Sequence, residues 1–260
     1  MDAALTVEGR DVLFAHWPID PDRLRPHVPD PLALDTRNGR AWVGALAHRI
    51  AGVDPRGPSL PAASARSLPG ALRAPLSPSF AQLNVRTYVE HGGREGVYFL
   101  DCETGAPLVG AVARRAFGLP FRRADVRLTD RGDRLHFRSR RSARAGDSRT
   151  DPDVDVRFDA RYRPAGAPSP ADAGSLAAFL VERSAWFVVD GGRVRVGTVE
   201  RDPWRVAPAD ATVLTNTVFE ALGVDGPDRS TDSPAVHYSP GFEMTATRPR
   251  PVQTATSPEP

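Results

Sequence analysis

The chain has 260 residues and a formal net charge of +2, and 40% of its side chains are apolar. This size suits one large domain, and the near-neutral charge gives no general case for binding nucleic acid or a membrane surface. All 34 cationic side chains are arginines, because the sequence contains no lysine. Since arginine keeps its proton and cannot serve as an amine nucleophile, Schiff-base chemistry from a lysine side chain is excluded.

The cysteine and hydropathy patterns restrict the class further. Cys102 is the only cysteine, so neither an intramolecular disulfide nor a cysteine-rich metal site can form. No apolar run approaches the ~18 residues of a membrane-spanning helix, and the N-terminal segment lacks the apolar core of a signal peptide. We expect a cytoplasmic protein with no cofactor, although scattered histidines leave a metal site open. A small-molecule ligand is the expected partner, and homo-oligomer formation is left open.

The first third of the chain predicts two strands joined by a short helix and a tight turn. In both strands alternate residues share a face, which places His16 with Phe14 and His48 with Trp42. The following segment, Asp54–Pro78, is rich in Pro, Ala, Ser and Arg and predicts a long mobile flap. The elements before it are, in order, a strand (Val12–Trp17), a helix capped by Asp20, an Asn38-Gly39 turn and a strand (Arg40–Val53).

The stretch Phe80–Gly118 carries the most informative pattern. Residues Phe80–Val89 alternate strictly, so Asn84, Arg86 and Tyr88 share one face while apolar side chains occupy the other. Such a polar row either faces bulk water or lines the inside of a barrel. A hairpin turn at Gly92-Gly93 and a partner strand are expected to follow.

The remainder predicts hairpins and three helices. Gly118 is expected to end the first helix with a left-handed cap. The expected elements are a helix (Ala106–Phe117), a hairpin (Ala124–Arg138), an exposed loop (Ser139–Asp153), a strand (Val154–Arg163), a linker (Pro164–Asp172), a helix (Gly174–Arg183), a hairpin (Ala185–Val199), a helix within Pro208–Gly223, and two strands (Ala235–Ser239 and Phe242–Thr247) joined by a turn.

These elements define an α+β class dominated by an antiparallel sheet, curled into a β-barrel, with a few peripheral helices. Twenty-six prolines and 22 glycines agree with many turns and short elements. We expect one domain over residues 1–248 and a flexible C-terminal tail over residues 249–260.

Several segments in a fixed order resemble the bacterial domain-of-unknown-function family 2071, of the acetoacetate-decarboxylase-like superfamily. They are HWPIDPDRLRPHVP, LNVRTYV, GVYFLDC, LVGAVARRAFGLPF, DPW and HYSPGFEM. The resemblance spans roughly residues 10–248. The resemblance implies a cone-shaped antiparallel barrel with a central cavity. In the decarboxylase branch a cavity lysine forms a Schiff base, which this lysine-free chain cannot do. The family often has a histidine two residues before its Pro-Trp pair, where this chain has Arg201.

The candidate site is built around Arg86. Inside a barrel its charge needs an anionic ligand, which a guanidinium holds bidentately, or an internal acid such as Glu182. We expect Asn84, Tyr88, His16 and Tyr238 to contact the ligand as well. His237 and Glu182 are the candidates for proton transfer. A structural role stays open for each of these residues.

Two functions remain as hypotheses. In the first, the protein binds an organic acid or keto compound, and any reaction is that of a lysine-independent lyase, isomerase or hydrolase. In the second, it is a non-catalytic ligand-binding or protein-interaction module whose barrel is filled by side chains.

Overall fold

The computed structural model describes residues 3–55, 79–142, 155–224 and 233–252. The helices within these ranges are few and short: α1 (Pro21–Leu24), a 3-10 helix (Arg25–His27), α2 (Pro107–Phe117), α3 (Leu176–Val181) and α4 (Val218–Ala221). The strands are β1 (Ala3–Ile19), β2 (Ala33–Leu34), β3 (Ala41–Pro55), β4 (Phe80–His91), β5 (Arg94–Thr104), β6 (Phe121–Arg123), β7 (Asp125–Asp130), β8 (Leu135–Arg141), β9 (Val156–Pro164), β10 (Ser169–Pro170), β11 (Ala185–Asp190), β12 (Arg193–Glu200), β13 (Arg205–Asn216), β14 (Ala235–Thr247) and β15 (Arg250–Pro251). The predicted α+β class, dominated by a sheet, is confirmed.

Seven of the strands form a closed circuit of pairings. Along the sheet the order is β12-β11-β5-β4-β3-β1-β14, and β14 pairs back to β12 through Val199–Ala246 and Glu200–Thr245. All of these pairings are antiparallel except the one between β5 and β11. Strands β13, β9, β8 and β7 extend the sheet from β14 in this order.

Each strand of the circuit presents two faces, and a separate apolar cluster lies on each. On β1, Leu13 and Ala15 belong to one cluster, which also contains Phe137 and Phe158 of the outer strands. The intervening Phe14 belongs to the other cluster, together with Tyr88 of β4. We call this second side the Arg86 face, because Arg86 lies between Asn84 and Tyr88 on the same side of β4.

A buried charged network ties the outer strands to the circuit. Arg141 on β8 contacts Asp101 at 2.7 Å and Glu103 at 3.0 Å, and the Ser139 hydroxyl also donates to Glu103. Arg122 contacts the second oxygen of Asp101 at 3.0 Å. Burial, and next the Glu103 carboxylate, raise the pKa of Asp101 to about 6 against the opposing effect of the arginines.

Local signals in the sequence placed several elements correctly. The Asp20 carboxylate accepts from the backbone N–H of Asp22 at 2.9 Å, so it caps α1 as predicted. Asn38 and Gly39 both have positive φ in the turn before β3, and Gly118 ends α2 at φ 67°. The predicted hairpin of β4 and β5 is confirmed, with His91 opposite Arg94.

Four elements differ in extent from their predictions. The segment Pro208–Gly223 contains the expected helix only at Val218–Ala221, and most of the rest belongs to strand β13, which pairs with β9. The turn expected between the last two strands is absent, since β14 pairs with β1 continuously through Gly241. The helix expected over Gly174–Arg183 is confined to α3. Ser139–Arg141, expected in an exposed loop, belong to β8, where Ser139 and Arg141 are buried, and residues 143–153 of that predicted loop lie outside the described residues.

Helix α2 leaves two of its large apolar side chains exposed to solvent. Leu108 and Val112 are 79% and 59% exposed, whereas Phe117 is buried. The helix instead turns Gly110 towards the sheet, where an added Cβ would come within 3.1 Å of the Thr104 methyl group. None of the helices in the described ranges is long and apolar enough to cross a membrane.

Two further predicted segments are described only in part. The flap over Asp54–Pro78 is described only at Asp54 and Pro55, which end β3. Within the predicted tail, residues 249–260, Arg250–Pro251 forms β15 and pairs with β12, and residues from 253 onward are not described.

Candidate functional site

Arg86 and Tyr88 point from β4 to a single acceptor. The Arg86 Nη2 donates to the carbonyl oxygen of Leu180 at 3.0 Å, and the Tyr88 hydroxyl donates to the same oxygen at 2.6 Å. Both side chains are buried, with Arg86 only 8% exposed. Among the described residues no carboxylate forms an ion pair with Arg86, and its Nε has no hydrogen-bond partner. The guanidinium therefore lies away from solvent with its charge uncompensated by an acid in these ranges.

His16 lies beside this pair in a position that only a glycine permits. An added Cβ at Gly44, its partner across β1 and β3, would lie 2.5 Å from the ring carbon Cδ2 and 2.8 Å from Nε2. The His16 ring is fully buried, 6.1 Å from the Tyr88 ring, and neither nitrogen has a partner among the described residues. Burial, with the charge of Arg86 next, holds the pKa of His16 well below its usual range. The imidazole is therefore neutral at pH 7.

Two further histidines reach the same face. His237 on β14 lies opposite Phe14 of β1, and burial lowers its pKa. His48 on β3 was not among the predicted site residues. Burial lowers the pKa of His48 to about 4, and the charge of Arg86 acts in the same direction. The Nδ1 atoms of both rings lack a partner in the described part of the chain.

Glu182 does not pair with Arg86, although the sequence offered it as the internal acid that could do so. One of its oxygens contacts Arg201 Nη2 at 2.9 Å, and the other accepts from the backbone N–H of Trp204 at 2.7 Å. Arg201 also donates to the Val181 carbonyl at 3.1 Å, and its guanidinium lies 4.8 Å from the centre of the Trp204 ring. Both oxygens of Glu182 are thus engaged with the segment that carries Arg201 and Trp204.

The structure does not bring all predicted site residues together. Asn84 is half-buried on the Arg86 face, and its side-chain oxygen accepts from Gln82 at 2.9 Å. Tyr238 lies on the opposite face, 6.4 Å from the Tyr162 ring. Consecutive residues of a strand point to opposite sides, so His237 and Tyr238 cannot both face the site. Tyr238 is therefore separated from the other candidates.

The unpartnered polar atoms on the Arg86 face define its chemistry. They are the Arg86 Nε, the indole nitrogens of Trp42 and Trp186, both nitrogens of His16 and the Nδ1 atoms of His48 and His237. Buried polar atoms normally have a partner, and the Arg86 Nε and both indole nitrogens are obligate donors. The face therefore suits an oxygen-rich molecule that accepts hydrogen bonds. Within the described ranges no group of three or more metal-ligating side chains is assembled.

A cavity of about 840 Å³ lies elsewhere, beside the charged network on the other side of β5. Its lining is dominated by arginines, including Arg122 and Arg141, whose charges face Asp101 and Glu103. Its rim ends at Ser142, where the described residues stop. It shares no lining residue with the Arg86 face.

The fold is similar to that of acetoacetate-decarboxylase-like proteins. Over 97% of this chain and 91% of the other, it is similar to the enduracididine biosynthesis enzyme MppR complexed with pyruvate, with a TM-score of 0.63 and 14% identity. The acetoacetate decarboxylase of Legionella pneumophila matches 98% of this chain and 89% of its own, with a TM-score of 0.58 and 14% identity. An acetoacetate decarboxylase-like enzyme of Sphingomonas wittichii RW1 gives a TM-score of 0.60 at 13% identity, over 97% and 94% of the chains.

Comparison of the sequence with known families identifies one family. Residues 6–243 match the model of domain-of-unknown-function family 2071, described as an uncharacterized conserved protein. The uncharacterized protein YqjF of Bacillus subtilis (strain 168) is 34% identical over 229 residues, which are 88% of this chain and 84% of that protein. The chain belongs to this family, as the resemblance of its segments indicated.

Sequence reasoning missed three parts of the site. His48 was recognisable, because it follows Gly44 on the same face of β3 at the spacing of a strand. Arg201 was noted only because the resembled family often has a histidine at that position, two residues before the Pro-Trp pair. The Leu180 carbonyl carries no signal in a sequence, since a backbone oxygen is present at every residue.

Proposed function

We infer that the circuit of seven strands encloses the Arg86 face as the interior of a barrel, and that this interior binds a small organic acid. Arg86 supplies the anion contact, with Tyr88, Asn84 and His16 beside it. The observation that carries this function is the buried guanidinium, which has no acid partner among the described residues. Leaving a buried charge unpaired costs several kcal/mol, and a carboxylate ligand would offset that cost.

The charge state of the neighbouring groups supports an anionic ligand. The pKa values of His16, His48 and His237 are all lowered, so these rings are neutral at pH 7 and add no positive charge of their own. Neutral imidazoles offer one donor and one acceptor each, which suits a carbonyl or hydroxyl group next to a carboxylate.

We propose that any reaction at this site proceeds by proton transfer or electrostatic stabilisation. A Schiff base with a lysine side chain is excluded, because the chain has no lysine. His237 is the proton-transfer candidate: burial lowers its pKa, and its Nδ1 faces no protein acceptor in the described ranges. Glu182 supports the site through Arg201 and the Trp204 backbone.

The second hypothesis, a non-catalytic module with a side-chain-filled interior, rests on one observation. The Trp204 ring packs edge-on against Phe14 at 4.8 Å and lies 5.0 Å from the Phe242 ring on the same face. This aromatic cluster occupies part of the interior, on the Trp204 side of the histidines.

Titration with pyruvate, the compound bound to the structural neighbour MppR, tests the first function. We expect saturable binding by calorimetry that Arg86→Gln weakens by about 10- to 100-fold, the worth of one charge-assisted contact. Arg94→Gln is the matched control, because Arg94 is exposed on the adjoining strand β5. Equal binding by wild type and Arg86→Gln, with an unchanged far-UV spectrum, would contradict the assignment of Arg86. No binding of pyruvate, acetate or formate would favour the filled module.

A further inference from the structure

Two donors of the proposed anion contact are engaged by the chain itself. The carbonyl oxygen of Leu180 accepts from the Arg86 Nη2 and from the Tyr88 hydroxyl, at 3.0 and 2.6 Å. Leu180 is fully buried near the end of α3. A carboxylate oxygen that takes the same two donors has to replace this carbonyl, since one position cannot hold two acceptors. The end of α3 and a ligand bound in this way therefore compete for these two donors.

The competing end of α3 is held by arginines from three different parts of the chain. Arg183 donates to the Phe179 carbonyl at 3.1 Å, Arg86 to Leu180, and Arg201 to Val181 at 3.1 Å. The last carbonyls of a helix have no partner within it, and cations stabilise them. Releasing Leu180 from Arg86 thus leaves the two neighbouring carbonyls with arginine contacts of their own.

A second connection links this end to the segment around Trp204. Glu182 contacts Arg201 and also accepts from the Trp204 backbone N–H. The Trp204 ring in turn lies against Phe14 on the Arg86 face. A shift of the α3 end is therefore passed to an aromatic side chain inside the proposed site.

Helix α3 is short and lies between two non-helical positions. Gly174 has φ 75°, a conformation that glycine adopts without a Cβ penalty, and it precedes the capping residue Ser175. Its carbonyl accepts from the Arg37 guanidinium. The helix itself is only six residues long, and Glu182 ends it with non-helical dihedrals. A shift of its C-terminal end therefore has to be accommodated over a single short element.

We propose that the C-terminal turn of α3 is an autoinhibitory gate on the Arg86 site, with Glu182 and Arg201 as its latch. Without ligand, the Leu180 carbonyl holds the two donors. A carboxylate displaces it, and the α3 end and Trp204 move away together. This gate rests on the proposed function, because it assumes that the ligand binds through Arg86.

Hydrogen exchange followed by mass spectrometry, with sodium formate as the probe, tests the gate. In the wild type, formate is expected to speed exchange of the Glu182 and Arg183 amides, which donate to Ala178 and Val181. Glu182→Gln weakens the latch, so it should speed this exchange without ligand and raise formate affinity about three- to tenfold. Glu95→Gln is the matched control: Glu95 contacts Arg183 at 2.6 Å from an exposed position but does not reach Arg201. We expect it to change formate affinity less than twofold.

Slower exchange in α3 on adding formate, or an affinity that Glu182→Gln leaves unchanged, would overturn the gate. Arg86→Gln separates the two proposals. If formate affinity depends on Arg86 while α3 becomes more protected, only the gate is wrong. If affinity does not depend on Arg86, or if no saturable binding occurs, the site fails and the gate fails with it. Should Glu182→Gln not fold, Glu182→Asp shortens the latch and gives the same comparison.

Discussion

Removing the Tyr88 hydroxyl and the Arg86 guanidinium, singly and together, probes whether both serve one acceptor. Tyr88→Phe keeps the ring against Phe179, 5.2 Å away, and loses only the 2.6 Å bond to the Leu180 carbonyl. Because Arg86 still donates to that oxygen, we expect a loss of about 1 kcal/mol in the free energy of unfolding.

Arg86→Met has a smaller net effect than its hydrogen bond suggests. It removes a charge-assisted bond worth about 1.5–3 kcal/mol, yet it also removes a buried charge that has no acid partner in the described ranges. The Leu180 carbonyl keeps the Tyr88 donor. Only the double variant leaves this buried oxygen without either donor, which costs a further ~1–2 kcal/mol. The expected coupling energy is therefore about 1 kcal/mol or more, with the double variant less stable than the sum predicts.

Urea denaturation at pH 7 of the wild type, the two single variants and the double variant measures this coupling. A second cycle that pairs Tyr88→Phe with Arg94→Met supplies the control and should be additive. Additivity within about 0.5 kcal/mol in the first cycle would refute the shared acceptor, and with it the position of the Leu180 carbonyl between the two donors.

Three other outcomes follow from the structure. The pKa of Asp101, raised to about 6 chiefly by burial, means that the folded chain binds more protons than the unfolded chain between about pH 4 and 6. Stability should therefore fall by about 2–3 kcal/mol as the pH rises through that window, and urea titrations of Asp101→Asn should lack this component. Gly44→Ala pushes a methyl group into the His16 ring and should lower the free energy of unfolding by about 1–3 kcal/mol. Gly52→Ala is the control and should be near neutral, because the nearest atom to its added Cβ is 3.9 Å away. Equal melting temperatures of the two variants would count against the packing of His16 on Gly44. Borohydride trapping with pyruvate should give no side-chain adduct by mass spectrometry, and a trapped internal peptide would contradict the exclusion of Schiff-base chemistry.

Most of what could be predicted about the site came from the alternation of side chains along single strands. The shared face of Asn84, Arg86 and Tyr88, and the side of β1 that carries His16, follow from a repeat of two residues. Capping at Asp20 and the glycine turns were equally local. Strand β13 was not predicted, because the composition of its segment does not distinguish a strand from a helix. Pairing with β9 on one side and β14 on the other determines its conformation.

The partners of the charged side chains could not be obtained in this way. Glu182 was a reasonable acid for Arg86, but the loop that carries Arg201 brought a different guanidinium to it. Tyr238 shared a segment with His237 yet lies on the other face, where Tyr162 accompanies it. Such pairings depend on how distant elements pack, which a single sequence does not specify.

Pairing of β1 with the distant strand β14 has a consequence for biosynthesis. β1 can pair with β3 soon after the ribosome releases both, but its other edge has to wait until β14 emerges, with Ala3 opposite Thr247. During translation the nascent chain thus carries a long unsatisfied backbone edge, the kind of surface on which strands of other chains can add. Closing a ring between such remote segments is intrinsically slow, so chaperone demand and yield of this protein should depend on how quickly β14 is delivered.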